Sequence, residues 1–238
     1  MPPPFPLQAV TFPAITKHTA TVIFVHGLGD SGHGFRPIAD MFRADSGISH
    51  IKWIFPHAPS RPVTANLGMN MPSWYDIKSF AFRAAEDEEG MMQTVESLSL
   101  IIRKEIESGI PPSRIIIGGF SQGSAMALLT GLTQDLNVRG VVALSGWVPL
   151  RHRFKGLSRA ALSTPIFWGQ GSNDPIVKLP LTNESLDVLK NAGFKVNSGV
   201  VEQTDISYNY YQGVGHRTVH EELHDLKEWI KMVIPQLY

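Results

Sequence analysis

The stretch RIIIGGFSQGSAMALLTGL, residues 114–132, decides how this chain folds. Its first part, Arg114–Gly118, is a short apolar run typical of a buried strand, and Ala125–Leu132 has the composition of a helix. Between them, residues 119–123 have the pattern G-x-S-x-G. A strand, this pattern and a helix in direct succession predict a tight turn that projects Ser121 from the carboxyl edge of a sheet.

Two interpretations of Ser121 follow from its place in this turn. In the first, the serine is a nucleophile, and the partly positive N–H groups at the start of the following helix can stabilise an oxyanion. In the second, Ser121 is only the N-cap of a helix after a glycine-rich turn. The first interpretation requires a base and an acid elsewhere in the chain.

On both sides of this turn, strands alternate with helices. The predicted strands are Thr21–Val25, Ile51–Phe55, Val138–Leu144, Pro165–Trp168 and Tyr208–Tyr211, and the further helices are Gly90–Ser108, Leu181–Asn191 and a C-terminal helix with an apolar stripe through Val219, Leu223, Leu226, Ile230 and Val233. The segment 57–76 between them is long and irregular. This alternation predicts a single α/β domain, a mostly parallel central sheet with helices on both faces. We expect it to span residues 1–238, with residues 1–20 as an extended lead-in.

The candidate base is His216. It stands in Gly213-Val214-Gly215-His216, after a late strand and directly before the last helix. Enzymes that use the G-x-S-x-G turn carry their partners in the order Ser, Asp or Glu, His, and His216 fits this order. The alternative is an ordinary exposed loop histidine.

The candidate acid is Asp174. It follows the strand Pro165–Trp168 closely, so it should lie at the same sheet edge as Ser121. Its alternative is a structural Asp-Pro turn. Glu202 and Asp205, which also precede His216, are weaker candidates for the same role.

A glycine-rich loop, Gly27–Gly34, follows the first strand. With Ser121 as nucleophile, an oxyanion needs two backbone donors, and we expect the N–H groups of Gln122 and, from this loop, Leu28. A phosphate-binding loop is the alternative, but the segment lacks both the G-K-[ST] ending and the G-x-G-x-x-G spacing.

A competing motif is His220-Glu221-Glu222-Leu223-His224, which matches the zinc-protease pattern H-E-x-x-H. The apolar stripe of this helix passes through Leu223, so both histidines should point to solvent. No third ligand continues the motif. We therefore expect no metal site here, and the serine chemistry itself needs no cofactor.

The composition excludes several classes of function. Lys+Arg and Asp+Glu both number 21, so no basic surface for nucleic acid is expected. The chain has no cysteine, which excludes disulfides and thiolate catalysis. No signal peptide or membrane-spanning segment is evident. We expect a cytoplasmic protein, with the nucleus as a second compartment, without stable membrane insertion and monomeric or weakly homodimeric.

At the level of whole motifs, the chain resembles the acyl-protein thioesterase family, also called the phospholipase/carboxylesterase family, of α/β-hydrolases. The matching motifs are Phe24–Gly32, Pro56–Pro59, Met71–Asp76, Gly118–Gly123, Leu144–Trp147 and Asp174–Val177. They occur in order over about Thr21 to Ile234. The resemblance places the family's catalytic triad on Ser121, Asp174 and His216.

The resemblance also implies the substrates: thioesters of S-acylated, including palmitoylated, proteins, lysophospholipids and small carboxylic esters. It implies an acyl groove formed by Met69, Trp74, Trp147, Ile176 and Val177, although both tryptophans could equally be core residues. The alternatives are a general carboxylesterase or lysophospholipase on the same triad, and a non-catalytic lipid or partner binder.

Two departures from the family pattern stand close to His216. The segment Asn197–Ser207 is longer than in the family, and Gly213-Val214-Gly215-His216 replaces the common Gly-Met-x-His.

Overall fold

The computed structural model describes residues 4–79, 85–199 and 205–237. Its strands are β1 (Ala9–Phe12), β2 (Ala20–Val25), β3 (Ile51–Pro56), β4 (Ser60–Val63), β5 (Met69–Pro72), β6 (Ile115–Phe120), β7 (Gly140–Leu144), β8 (Ile166–Gly171), β9 (Val196–Ser198) and β10 (Ile206–Tyr211). Its helices are α1 (Arg36–Arg43), α2 (Glu88–Glu107), α3 (Gln122–Thr133), α4 (Arg159–Leu162), α5 (Leu179–Ala192) and α6 (His220–Val233).

Eight of these strands form one sheet in the order β1-β3-β2-β6-β7-β8-β10-β9. All neighbours are parallel except β1, which lies in the N-terminal lead-in and pairs antiparallel with β3. The prediction of a mostly parallel α/β sheet is confirmed.

Helices cover both faces of the sheet, as predicted. One apolar core packs β-strand side chains against α2, α3 and α5, and a second core lies on the opposite face beneath α1 and α6. The inner strands are buried on both sides, which explains why β2 and β6 are continuous apolar runs and not alternating ones.

The structure adds elements that the sequence pattern did not predict. Within the irregular segment 57–76, β4 and β5 form an antiparallel hairpin, with Ser60 opposite Pro72 and Val63 opposite Met69. Helix α1 and the three-residue strand β9 were also missed. These elements have between three and eight residues, which is too few positions to establish a period.

Helix α6 differs from its predicted amphipathic pattern at one position. Glu222 is only 2% exposed, although it is charged in water and lies next to the exposed Glu221. A Cβ at Gly169 of β8 would overlap the end of the Glu222 carboxyl group, so glycine at this position leaves room for Glu222 in its buried conformation. Burial raises the pKa of Glu222 from about 4.5 to about 8.

We predict that Glu222→Gln removes a pH dependence of stability. Between pH 4.5 and 8 the unfolded chain releases the Glu222 proton while the folded protein keeps it, so wild-type stability falls as pH rises. The loss is on the order of 4 kcal/mol. Urea unfolding across this range should therefore show that the free energy of unfolding of the variant rises relative to that of wild type towards pH 8. The control Glu221→Gln, at an exposed site, should show no such trend, and parallel curves for wild type and Glu222→Gln would contradict the prediction.

Candidate active site

The sheet order brings the predicted site residues to one edge. Leu28 follows β2, Ser121 follows β6, Asp174 follows β8 and His216 follows β10. These strands are parallel and lie within a short span of the sheet, so their carboxyl ends open on the same side. Ligands of open α/β sheets bind at this edge.

Ser121 has the strained backbone that the tight turn requires. Its φ of 53° and ψ of −119° lie in a region that non-glycine residues rarely adopt. A Cβ at Gly119 would stand 2.4 Å from the Gly123 carbonyl carbon, and a Cβ at Gly123 would stand 2.1 Å from the Val25 oxygen. The two flanking glycines are therefore required by close backbone approach.

Ser121, His216 and Asp174 form a continuous hydrogen-bonded chain. His216 Nε2 lies 2.9 Å from Ser121 Oγ, and His216 Nδ1 lies 2.7 Å from Asp174 Oδ2. With Nδ1 donating to the carboxylate, Nε2 is left to accept the serine proton. The serine hydroxyl makes no cap bond to its own helix, so the N-cap alternative has no hydrogen bond to support it.

Asp174 is held as a carboxylate inside the protein. Its side chain is fully buried, and its Oδ1 accepts from the N–H groups of Ile176 and Val177, each at 2.8 Å. Burial alone would raise the pKa of Asp174, but the hydrogen bond and charge of His216, with these two N–H donors, outweigh it and lower the pKa. Asp174 is thus oriented and ionised against the imidazole.

Of the two weaker candidates for the acid, Asp205 does not join this chain. Asp205 accepts a hydrogen bond from the Asn197 side chain at 3.0 Å, at the β9–β10 edge of the sheet. Glu202 lies outside the described residues. The imidazole of His216 packs on Phe120, with ring centroids 4.8 Å apart.

The two residues predicted to supply the oxyanion donors are Gln122, which is the next residue after Ser121, and Leu28, which shares its cavity. Gln122 begins α3, so its N–H belongs to the free amino end of that helix. Leu28 lines the same cavity as Ser121. Within residues 4–79, 85–199 and 205–237, neither N–H has a hydrogen-bond acceptor. Two unpaired donors next to a candidate nucleophile are what an oxyanion site needs.

A cavity of about 950 Å³ opens over Ser121 and His216. Three of the five residues predicted for the acyl groove line it: Trp147, Ile176 and Val177. The other two do not. Met69 lies on the exposed β4–β5 hairpin at 57% exposure, and Trp74 is completely buried behind the cavity wall.

Sequence reasoning missed several residues of the cavity wall. They include Tyr75, Asp76, Ile77, Met91, Val148 and Leu181. Tyr75 and Asp76 stand in the long segment that was singled out, so the signal for them was present. Met91 and Leu181 belong to the predicted helices Gly90–Ser108 and Leu181–Asn191, where nothing in the sequence distinguishes them from other apolar helix residues.

The H-E-x-x-H histidines, His220 and His224, are both exposed on α6, as predicted. In the described part of the chain, no group of three or more His, Asp or Glu side chains is arranged to hold a metal ion. None of the helices described there has the length and apolar character to cross a bilayer.

The double substitution His220→Ala with His224→Ala is predicted to leave kcat/KM for an ester substrate within about twofold of wild type. Both side chains point into solvent away from Ser121, and exposed substitutions have small effects. Steady-state hydrolysis with and without added zinc checks this. Loss of activity that zinc restores would instead assign the chemistry to the motif.

A serine, a histidine and a buried aspartate, joined in this order at the carboxyl edge of a helix-covered parallel sheet, define an α/β-hydrolase. The sequence pattern of the phospholipase/carboxylesterase family matches residues 7–234, and the chain belongs to this family. The resemblance found in the sequence is confirmed, and the protein is a hydrolase.

Several relatives are similar over most of their length. Acyl-protein thioesterase 1 of Cryptococcus neoformans var. neoformans serotype D is 45% identical over 220 residues, which cover 90% of this chain and 92% of the relative. Acyl-protein thioesterase 1 of Yarrowia lipolytica is 39% identical, covering 96% and 97%.

Solved structures are also similar over most of the chain. The crystal structure of Zea mays acyl-protein thioesterase 2 aligns with a TM-score of 0.81 at 27% identity, covering 95% of this chain and 99% of that one. Arabidopsis thaliana SOBER1 aligns with a TM-score of 0.80 at 34% identity, covering 89% and 97%.

Proposed function

We propose that this hydrolase removes long acyl chains from the cysteine thioesters of S-acylated proteins, and also cleaves lysophospholipid and small carboxylic esters. The observation that carries the proposal is the Ser121–His216–Asp174 hydrogen-bonded chain beneath a cavity of about 950 Å³. That volume is at the upper end of the range for small-molecule sites. The relatives named acyl-protein thioesterase favour a thioester among the possible acyl substrates.

In the acylation step, His216 Nε2 takes the proton of Ser121 Oγ, and Oγ attacks the thioester carbonyl carbon. The N–H groups of Leu28 and Gln122 donate to the oxygen as its negative charge develops. When the tetrahedral intermediate collapses, the carbon–sulfur bond breaks and the proton on His216 Nε2 passes to the leaving cysteine sulfur, so the cysteine departs as a thiol and His216 is neutral again. The acyl group then remains on Ser121.

In the deacylation step, His216 takes a proton from water and the resulting hydroxide attacks the acyl carbonyl. His216 returns that proton to Ser121 Oγ, and the fatty acid leaves. The Asp174 carboxylate keeps Nδ1 protonated and stabilises the imidazolium in both steps. All proton transfers are thereby assigned to His216, and the proposal includes no cofactor.

We place the acyl chain along Trp147, Ile176 and Val177. Val177 is buried, Trp147 is half-buried and Ile176 is 56% exposed, so these side chains run from the inside of the cavity to its rim. Ile176 and Val177 also donate their N–H groups to Asp174, so the same two residues contribute to the groove and hold the acid. We do not assign Met69 or Trp74 to the groove.

The test of the substrate class is a comparison of kcat/KM for a palmitoyl-thioester peptide, a lysophospholipid and an acetyl ester. We expect the palmitoyl thioester to be preferred, because only a long chain fills the cavity and uses its apolar contacts. A strong preference for acetyl esters would contradict the thioesterase assignment. Failure of a fluorophosphonate to label Ser121 in the folded wild-type protein would contradict the hydrolase mechanism itself.

We further propose that the enzyme acts in the cytoplasm or nucleus as a monomer or weak homodimer. S-acylated cysteines occur in juxtamembrane and amphipathic segments, which a freely diffusing enzyme can reach. Sedimentation equilibrium and cell fractionation test the two parts separately. A tight oligomer, or a secreted protein, would contradict them.

A further inference from the structure

The side chain of Gln122 is completely buried, and it lies directly next to the proposed nucleophile. Its Nε2 donates to Ser73 Oγ and to the Tyr75 carbonyl, each at 3.0 Å, while its Oε1 accepts from the Trp74 N–H at 3.1 Å. A carboxamide is suited to this position because it offers donors and an acceptor in one plane. The mechanism above uses only the backbone N–H of this residue.

The same stretch of chain, the bridge segment Pro72–Tyr75, also holds the glycine-rich loop. The Pro72 carbonyl accepts from the Gly29 N–H at 2.9 Å, and Trp74 Nε1–H donates to the His26 carbonyl at 2.7 Å. The bridge segment is therefore bonded on one side to the residue after the nucleophile and on the other side to the loop that carries Leu28.

Within that loop, His26 orients the Leu28 N–H. The Ala58 N–H donates to His26 Nε2 at 3.0 Å, so Nδ1 carries the proton and donates to the Gly27 carbonyl at 2.7 Å. Burial lowers the pKa of His26 and keeps the ring neutral. The Gly27 carbonyl and the Leu28 N–H belong to one trans peptide plane, in which they point in opposite directions. A hydrogen bond that holds the Gly27 oxygen therefore also sets the direction of the Leu28 N–H.

We propose that the Gln122 carboxamide is a positioning group: through the bridge segment it sets the separation and direction of the two oxyanion donors. The inference rests on the proposed function. The donors act on charge that develops in the transition state, so a displaced donor lowers kcat and leaves substrate binding unchanged. The backbone N–H of residue 122 remains in every variant, which isolates the effect of the side chain.

The experiment compares Gln122→Met, which keeps the length of the side chain and loses the hydrogen bonds of the carboxamide, with Gln122→Glu, which keeps the shape and loses the amide donors. For a thioester substrate we expect Gln122→Met to lower kcat by about 10- to 100-fold, less than loss of a whole oxyanion donor, with KM within about twofold. A protonated carboxyl can donate once to the Tyr75 carbonyl. The ratio of the Gln122→Glu kcat to the wild-type kcat should therefore rise towards low pH. The same ratio for Gln122→Met should not change with pH.

A second variant, Trp74→Phe, tests the other end of the bridge. It keeps an aromatic ring in the core, removes the Nε1–H that donates to the His26 carbonyl and reduces the ring that packs on His26, and it should also lower kcat with KM unchanged. The control Leu226→Ala lies in the core on the opposite face of the sheet. It should reduce stability, with kcat unchanged at a temperature where circular dichroism shows it folded.

The possible results separate this inference from the proposed function. If wild type neither turns over thioesters nor reacts with a fluorophosphonate, the proposed function fails. If wild type is active and folded Gln122→Met and Trp74→Phe keep wild-type kcat, only the positioning role is overturned. A raised KM with unchanged kcat would also overturn it, because it would assign the bridge segment to substrate binding.

Discussion

Ser121→Ala is expected to lower kcat for a palmitoyl-thioester peptide by a factor of about 10⁴ to 10⁶. The reason is that, in the proposed mechanism, Ser121 Oγ, 2.9 Å from His216 Nε2, is the atom that forms the acyl-enzyme. The oxyanion donors survive in this variant, so a small residual rate above that in water should remain. Steady-state kinetics measure the loss of turnover. Mass spectrometry after treatment with a fluorophosphonate measures the loss of the covalent adduct.

Ser124→Ala is the matched control for this substitution. Ser124 is a second buried serine, near the start of α3, and its hydroxyl has no hydrogen-bond partner among the residues that the structure describes. The control should keep kcat within about threefold and retain the adduct on Ser121. An adduct that persists in folded Ser121→Ala, or turnover near the wild-type rate, would show that another residue is the nucleophile.

His216→Ala is expected to cost about as much as the loss of the serine, again about 10⁴- to 10⁶-fold in kcat. Without the imidazole, the serine proton has no acceptor, and the Asp174 carboxylate has lost the group that it orients. The exposed His152 provides the control, since His152→Ala removes a histidine that does not line the cavity.

The double variant Ser121→Ala with His216→Ala sharpens this prediction. Because the two side chains act as one unit, the double variant should be no slower than either single variant. Losses that multiply would show that His216 and Ser121 contribute separately, and the proton-transfer mechanism proposed for them would then be wrong.

Most of the sheet could be predicted because its strands are covered on both faces. Runs such as Ile115–Ile117 are apolar without interruption, and Gly119 and Gly123 mark the turn that follows. The β4–β5 hairpin could not be predicted in the same way, because its pairing depends on a partner strand and not on an apolar pattern. Glu222 was missed for a related reason: the space that buries it is provided by Gly169, 53 positions earlier.

The candidate site likewise contains residues that local sequence predicts and residues that only packing reveals. Ser121, Asp174 and His216 could be named from order and local context, because Ser121 directly follows a strand and the other two stand in the loops that follow strands. The walls of the cavity could not, since Met91 and Leu181 look like any core residue until their helices are packed. Trp74 shows the opposite case: its motif suggested a groove residue, and its indole is instead buried on the His26 carbonyl.

Local spacing and residue type were enough to predict the strand–turn–helix around Ser121, the alternation of elements and the family. Which strand ends are neighbours follows from the packed sheet, and this arrangement brings Ser121 Oγ to 2.9 Å from His216 Nε2 and His216 Nδ1 to 2.7 Å from Asp174 Oδ2. The packing also bonds one four-residue segment, Pro72–Tyr75, both to Gln122 and to the loop that carries Leu28, the two residues proposed to supply the oxyanion donors. Contacts between residues 40 to 100 positions apart depend on strand order and packing, which local sequence patterns do not encode.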